Sequence, residues 1–152
     1  MSDAVRVRGE AAEVARAEAQ AVLAMLTDGQ RRSRLADVVA AVEEGQVAGD
    51  DAAALGELLE LGLQTGRLRS IYGPEGEQAA LTLFRRLPQG RELAESTSEL
   101  NAALETLAGL TLDRLSVHAV GPGEYGVSIS ADGFELALRL GPSGARISTI
   151  GT

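Results

Sequence analysis

Lysine, cysteine and tryptophan are all absent from this chain, and histidine occurs once, at His118. Each gap removes chemistry. Without lysine there is no Walker A phosphate loop and no Schiff base. Without cysteine there is no thiol nucleophile, no disulfide framework and no cysteine zinc site, and one histidine cannot make a histidine cluster. Aromatic residues make up only 3%, so the core must be aliphatic. No stretch approaches the roughly 20 apolar residues of a membrane span. The N-terminal "MSDAVRVRGEAAEV" also lacks the apolar run of a signal peptide. These absences lead to the expectation of a non-enzymatic cytoplasmic protein without cofactor, metal or membrane contact.

What is present is ordinary for a folded chain: 152 residues, 45% hydrophobic and 24% charged. That length suits one domain or two small ones, and two halves of this size would each be marginal alone. All 14 basic residues are arginine, and the net charge is −8. Acidity on this scale opposes wholesale binding of nucleic acid or anionic membranes, although local patches can escape the average.

Residues 1–9 read as a loose arm. A first helix is expected over about 10–27, and a second from about Ser33, where Leu35, Val38, Val39 and Val42 have amphipathic spacing. A third carries Leu55, Leu58, Leu59 and Leu63, with Asp50 or Asp51 as its cap and Gly66 just past its end. In "GRLRSIYGPEGEQAALTLFRRL", residues 66–87, two alternating runs flank a Gly-Pro-Glu-Gly turn, the pattern of a β-hairpin.

Three helices followed by a hairpin give an element order that resembles the winged-helix superfamily over about residues 10–87. The resemblance implies a third helix in the DNA major groove and a wing on the backbone or minor groove. The candidate contacts would be Arg31, Arg32 and Arg34 before the second helix and Arg67, Arg69, Arg85 and Arg86 on the wing. The third helix argues the other way. It has no basic residue, and Asp50, Asp51, Glu57 and Glu60 would repel phosphates. Nucleic acid is therefore disfavoured. A charged sheet edge that discourages strand pairing accounts for the arginines as well.

"PQGR" at 88–91 marks a boundary between a 1–87 domain and an 88–152 domain. A fourth helix follows over about 92–108. Leu93, Leu100, Leu104 and Leu107 form a short coiled-coil-like seam on it. Periodicity alone does not say whether that seam packs within the chain or pairs with a second copy. Four strands are expected next, at about 114–120, 124–131, 134–140 and 145–150, as an antiparallel meander. Tyr125, Val127, Ile129 and Ala131 make one apolar face, with Phe134, Leu136, Leu138 and Leu140 beside them.

Three further patterns carry less. "GPGEYGV" at 121–127 fits a glycine-loop spacing, but a strand follows it rather than a helix, and the kinase-type partner lysine does not exist. Asp113, Ser116 and His118 are close in sequence, yet a triad is defined by geometry and not by proximity. Glu92, Glu95 and Glu99 stack along a solvated helix face and lack calcium-loop spacing. The sequence thus points to an α+β protein of two parts. It is expected to bind a protein partner or a second copy of itself, with a homodimer as the favoured form. A winged-helix DNA-binding regulator is the alternative.

Overall fold

A computed structural model describes residues 3–152. The fold is α+β, with five helices, a four-stranded antiparallel sheet and a two-residue strand pair. The chain divides into two compact units, one running to Arg91 and the other from Glu92 to Thr152.

The first unit begins with β1 (Val5–Arg6), which pairs antiparallel with β2 (Gln46–Val47). From Val5 on, the expected loose arm is thus tied down, while residues 1–2 of that expectation lie outside the described residues. Val5, Val7 and Val47 are buried, and Val7 N donates to Gly45 O. Helix α1 (Gly9–Met25) precedes α2 (Gly29–Glu44), which starts four residues earlier than its first apolar repeat suggests. Asp28 is its cap, accepting a hydrogen bond from Arg31 N. Helix α3 (Gly49–Gln64) has Ala48 at its cap position with no side-chain cap, so Asp50 and Asp51 are first-turn residues instead. Past its end, Gly66 takes a left-handed φ of 72°, as a residue just beyond a helix should.

Residues 66–87 are not a hairpin. They form α4 (Arg67–Phe84), kinked at Gly73, whose φ of 74° and ψ of −179° are non-helical. Gly-Pro punctuates this segment by bending a helix, not by turning a chain. Pro74 opens the second helical stretch, where its missing N–H is unneeded. Leu68, Gly76, Ala80, Leu83 and Phe84 are buried, the repeat of a helix face. The bend also needs Gly76, because a Cβ there would lie 2.4 Å from Tyr72 Cβ. The wing implied by the winged-helix resemblance is therefore missing from these residues.

Helix α5 (Pro88–Glu105) starts at the "PQGR" expected to be a boundary ahead of the helix, with Pro88 in its first turn. Its residues from Glu92 onward belong to the second unit. There the meander is as expected: β3 (Leu112–Gly121), β4 (Glu124–Ala131), β5 (Phe134–Gly141) and β6 (Gly144–Gly151), in spatial order β3-β4-β5-β6. Ala103, Leu136 and Leu138 form its core, with Leu100, Leu104, Leu107, Val127, Ile129, Phe134 and Ile147 packed against them. Leu93 lies over the β5–β6 turn, its Cδ2 2.9 Å from where a Gly144 Cβ would sit. Ser96 Oγ donates to Ala145 O. All four leucines of the predicted dimer seam are thus turned toward the chain's own sheet.

Candidate interaction site

One helix cannot cover four strands. A helix with its side chains is about 10 Å wide, while four strands spaced about 4.8 Å apart span more than that. Helix α5 packs on β4, β5 and β6 through the residues just named, and edge strand β3 is left over. Leu115 pairs with Ile129 and Val117 with Val127, so both lie on the apolar face that the helix covers elsewhere. Yet Leu115 is 59% exposed and Val117 65%. Leu112, in register with buried Ala131, is exposed on the same side. The core therefore continues, uncovered, to an open edge. Strand β3 has no proline and no lysine along its ten residues, and its register is irregular only near its two ends, leaving Leu115–Ala119 regularly paired.

The opposite face of the sheet is polar. Register aligns Ser116, Ser128, Ala137 and Thr149 across all four strands. The neighbouring row is His118, Gly126, Arg139 and Arg146. The His118 ring lies over Gly126, where a Cβ would come within 2.4 Å of it. Arg114 lies in the row on the other side, opposite Ser130. A shallow cavity of about 420 Å³ sits on the hydroxyl row, with Arg114 and Glu135 at its margin.

The seven arginines predicted to touch DNA are spread over two helices and the residues just past α4. Arg32 Nη1 donates to Leu23 O and Leu26 O, each at 2.8 Å, and so closes the carbonyl end of α1. Arg67 Nε donates to Glu18 Oε1 at 2.6 Å. Arg69 pairs loosely with Glu77 at 3.4 Å, and Arg86 donates to Arg6 O. Among the described residues, Arg31, Arg34 and Arg85 make no side-chain contact of this kind. Glu18 is the one charged side chain buried among the described residues, at 2% exposure, and it also accepts from the Tyr72 hydroxyl. Burial first, then the hydrogen bond to Glu18 and its charge, hold the Tyr72 phenol above its ordinary pKa, with Arg67 opposing.

The weaker patterns also have their places. "GPGEYGV" is the β3–β4 turn, with Gly123 at a φ of 73°. Ser116 and His118 share the polar face of β3, and no hydrogen bond links them to each other or to Asp113. Glu92, Glu95 and Glu99 are exposed on α5. Among the described residues no three His, Cys, Asp or Glu side chains gather closely enough to hold a metal ion, and no helix is long and apolar enough to cross a membrane. In comparisons with known proteins, the chain matches no family model, no curated protein and no solved structure.

Sequence reasoning missed both faces of the sheet as sites. The signal for one was the pair of apolar residues Leu115 and Val117 on the terminal strand of a meander. The signal for the other was the "GPSG" turn, since placing Gly141 opposite Gly144 forces Arg139 opposite Arg146.

Proposed function

We propose that this is a non-enzymatic interaction and assembly protein of the cytoplasm that self-associates through its C-terminal unit. The observation that carries the reading is the open edge of β3, where Leu112, Leu115 and Val117 extend the core into solvent. The partner this edge suits is a second copy. Antiparallel pairing of β3 with its own twin about Ser116 sets Leu115 of one copy opposite Val117 of the other on the apolar side. Each β3 then gains backbone partners, and a two-fold contact of this kind closes on itself. The exposed side chains of one strand fall short of the about 800 Å² per partner of a standard interface. The dimer is therefore weak, of micromolar affinity or poorer. The leucine seam of α5, the earlier candidate for dimerisation, is occupied within the chain.

Sedimentation equilibrium tests this over protein concentrations up to about 500 µM. Association that Val117→Glu abolishes, with an unchanged circular dichroism spectrum, supports it. A wild-type chain that stays monomeric throughout removes self-association. Duplex DNA binding has less behind it. Arg32, Arg67, Arg69 and Arg86 are held by groups of their own unit, and α3 is acidic. Anisotropy of a labelled random duplex at low salt is the check. Binding lost in an Arg31/Arg34/Arg85→Ala variant would restore the regulator reading.

A further inference from the structure

The row His118–Gly126–Arg139–Arg146 contains a contact that a folded sheet ordinarily avoids. Arg139 and Arg146 are directly opposed cross-strand partners on the same face, and like charges so placed repel. Among the described residues neither guanidinium has a carboxylate within ion-pairing distance, and neither makes a hydrogen bond; the same is true of Arg114. Two acids share this face. Glu124 lies across Gly141, its Cγ 3.1 Å from where a Cβ would be, and Glu135 lies beyond Ser130 in the Arg114 row. Neither reaches an arginine. All three arginines of the second unit and the only histidine of the chain therefore stand on one face with their donors unspent.

Between them runs the hydroxyl row, Ser116, Ser128 and Thr149, flooring the 420 Å³ cavity. Short side chains at Gly126 and Ala137 keep the floor low; Arg114 lines this cavity, while Arg139 and Arg146 line a second one together with Glu124 and Ser143. Guanidinium forks match the oxygens of a phosphate, and serine and threonine hydroxyls complete its shell. No phenylalanine, tyrosine or tryptophan lies on this face, and the one ring there is that of His118. A long nucleic acid would also meet the chain's net charge of −8. A small ligand meets mainly the local field.

We infer that the polar face of the sheet is a binding site for a small phosphate-bearing anion, held between the opposed Arg139 and Arg146, with Ser143 beside them and His118 in the same row. The ligand is a phosphate ester or a pyrophosphate. Its arrival neutralises the Arg139–Arg146 repulsion.

His118 makes the test simple, because a single histidine gives a single Cε1–H signal in a proton–carbon correlation spectrum. The full chain is titrated with inorganic pyrophosphate at low ionic strength, with citrate as a carboxylate anion of similar charge. The expected result is a saturable His118 shift with a dissociation constant below about 1 mM, and citrate at least about tenfold weaker. Arg139→Gln/Arg146→Gln weakens pyrophosphate about tenfold or more, and exposed Arg146→Gln alone weakens it measurably should the double variant not fold. Arg34→Gln and Val117→Glu leave it unchanged, which separates this site from the self-association edge. The inference is overturned by any of three results: no saturable shift, equal binding of citrate, or undiminished binding in the arginine variants.

Discussion

The two units use arginine in opposite ways. In the first, Arg32 closes the end of α1, Arg67 anchors α4 to the buried Glu18 on α1, and Arg86 reaches the backbone of β1. There charge fastens helices together. In the second, Arg114, Arg139 and Arg146 fasten nothing. The cores differ in the same sense. Helices of the first unit bury leucines such as Leu55, Leu59, Leu68 and Leu83. One helix over four strands leaves a face half closed. The first unit spends several of its arginines on its own groups, although Met25, Leu61 and Ile71 stay exposed there; in the second none of the three arginines is spent, and available groups are what binding requires.

The largest expected effect tests whether the second unit's small core really holds it. Leu136 is 1% exposed at the centre of that core, and Leu136→Ala is expected to cost about 3 kcal/mol. Amide hydrogen exchange should show the loss concentrated in β3–β6. A loss spread equally over α1–α4 would mean the two units unfold as one. Next in size is the fastening in the first unit. Glu18→Ala strands the Tyr72 hydroxyl and Arg67. The Arg67 side chain is 40% exposed and can rehydrate, so the cost is set at about 2 kcal/mol by urea unfolding, below that of breaking a fully buried pair. Tyr72→Phe should cost about 1 kcal/mol. It should also alter the alkaline limb. A folded-state pKa raised above its unfolded value gives stability that is present below pH 10 and lost as pH climbs above it. With no lysine in the chain, that limb is free of lysine titration, and the tyrosine variant should flatten it.

Much of this fold is legible in the sequence, and the failures share a cause. The meander could be read because apolar alternation in β4 and β5 is strict and Asp132-Gly133 marks a two-residue turn. The seam on α5 could be read, but its partner could not, since spacing states that a face is apolar without saying what covers it. Residues 66–87 misled because Leu68, Ser70 and Tyr72 alternate and Gly73-Pro74 imitates a turn. Only packing against α1 and α3 decides for a helix there. The β1–β2 pair is two residues long and leaves no pattern to find. The opposed arginines lie seven residues apart in sequence and become neighbours only through register.

The smallest effect is the most discriminating, because it has a sign. Removing an arginine that fastens something destabilises a protein, whereas removing one that only repels its neighbour stabilises it. Arg146→Gln is therefore expected to raise stability by about 0.5 kcal/mol at low ionic strength. The gain should fade as added salt shortens the screening length to about 3 Å near 1 M. Arg34→Gln, at an exposed site with no opposed charge, should change nothing at either salt. Pyrophosphate should reverse the order, stabilising the wild type more than Arg146→Gln, because the ligand's charge is then balanced by both guanidinium groups. A loss of stability in Arg146→Gln without ligand would place Arg146 among the fastening arginines, and the contrast between the two units would fail at that residue.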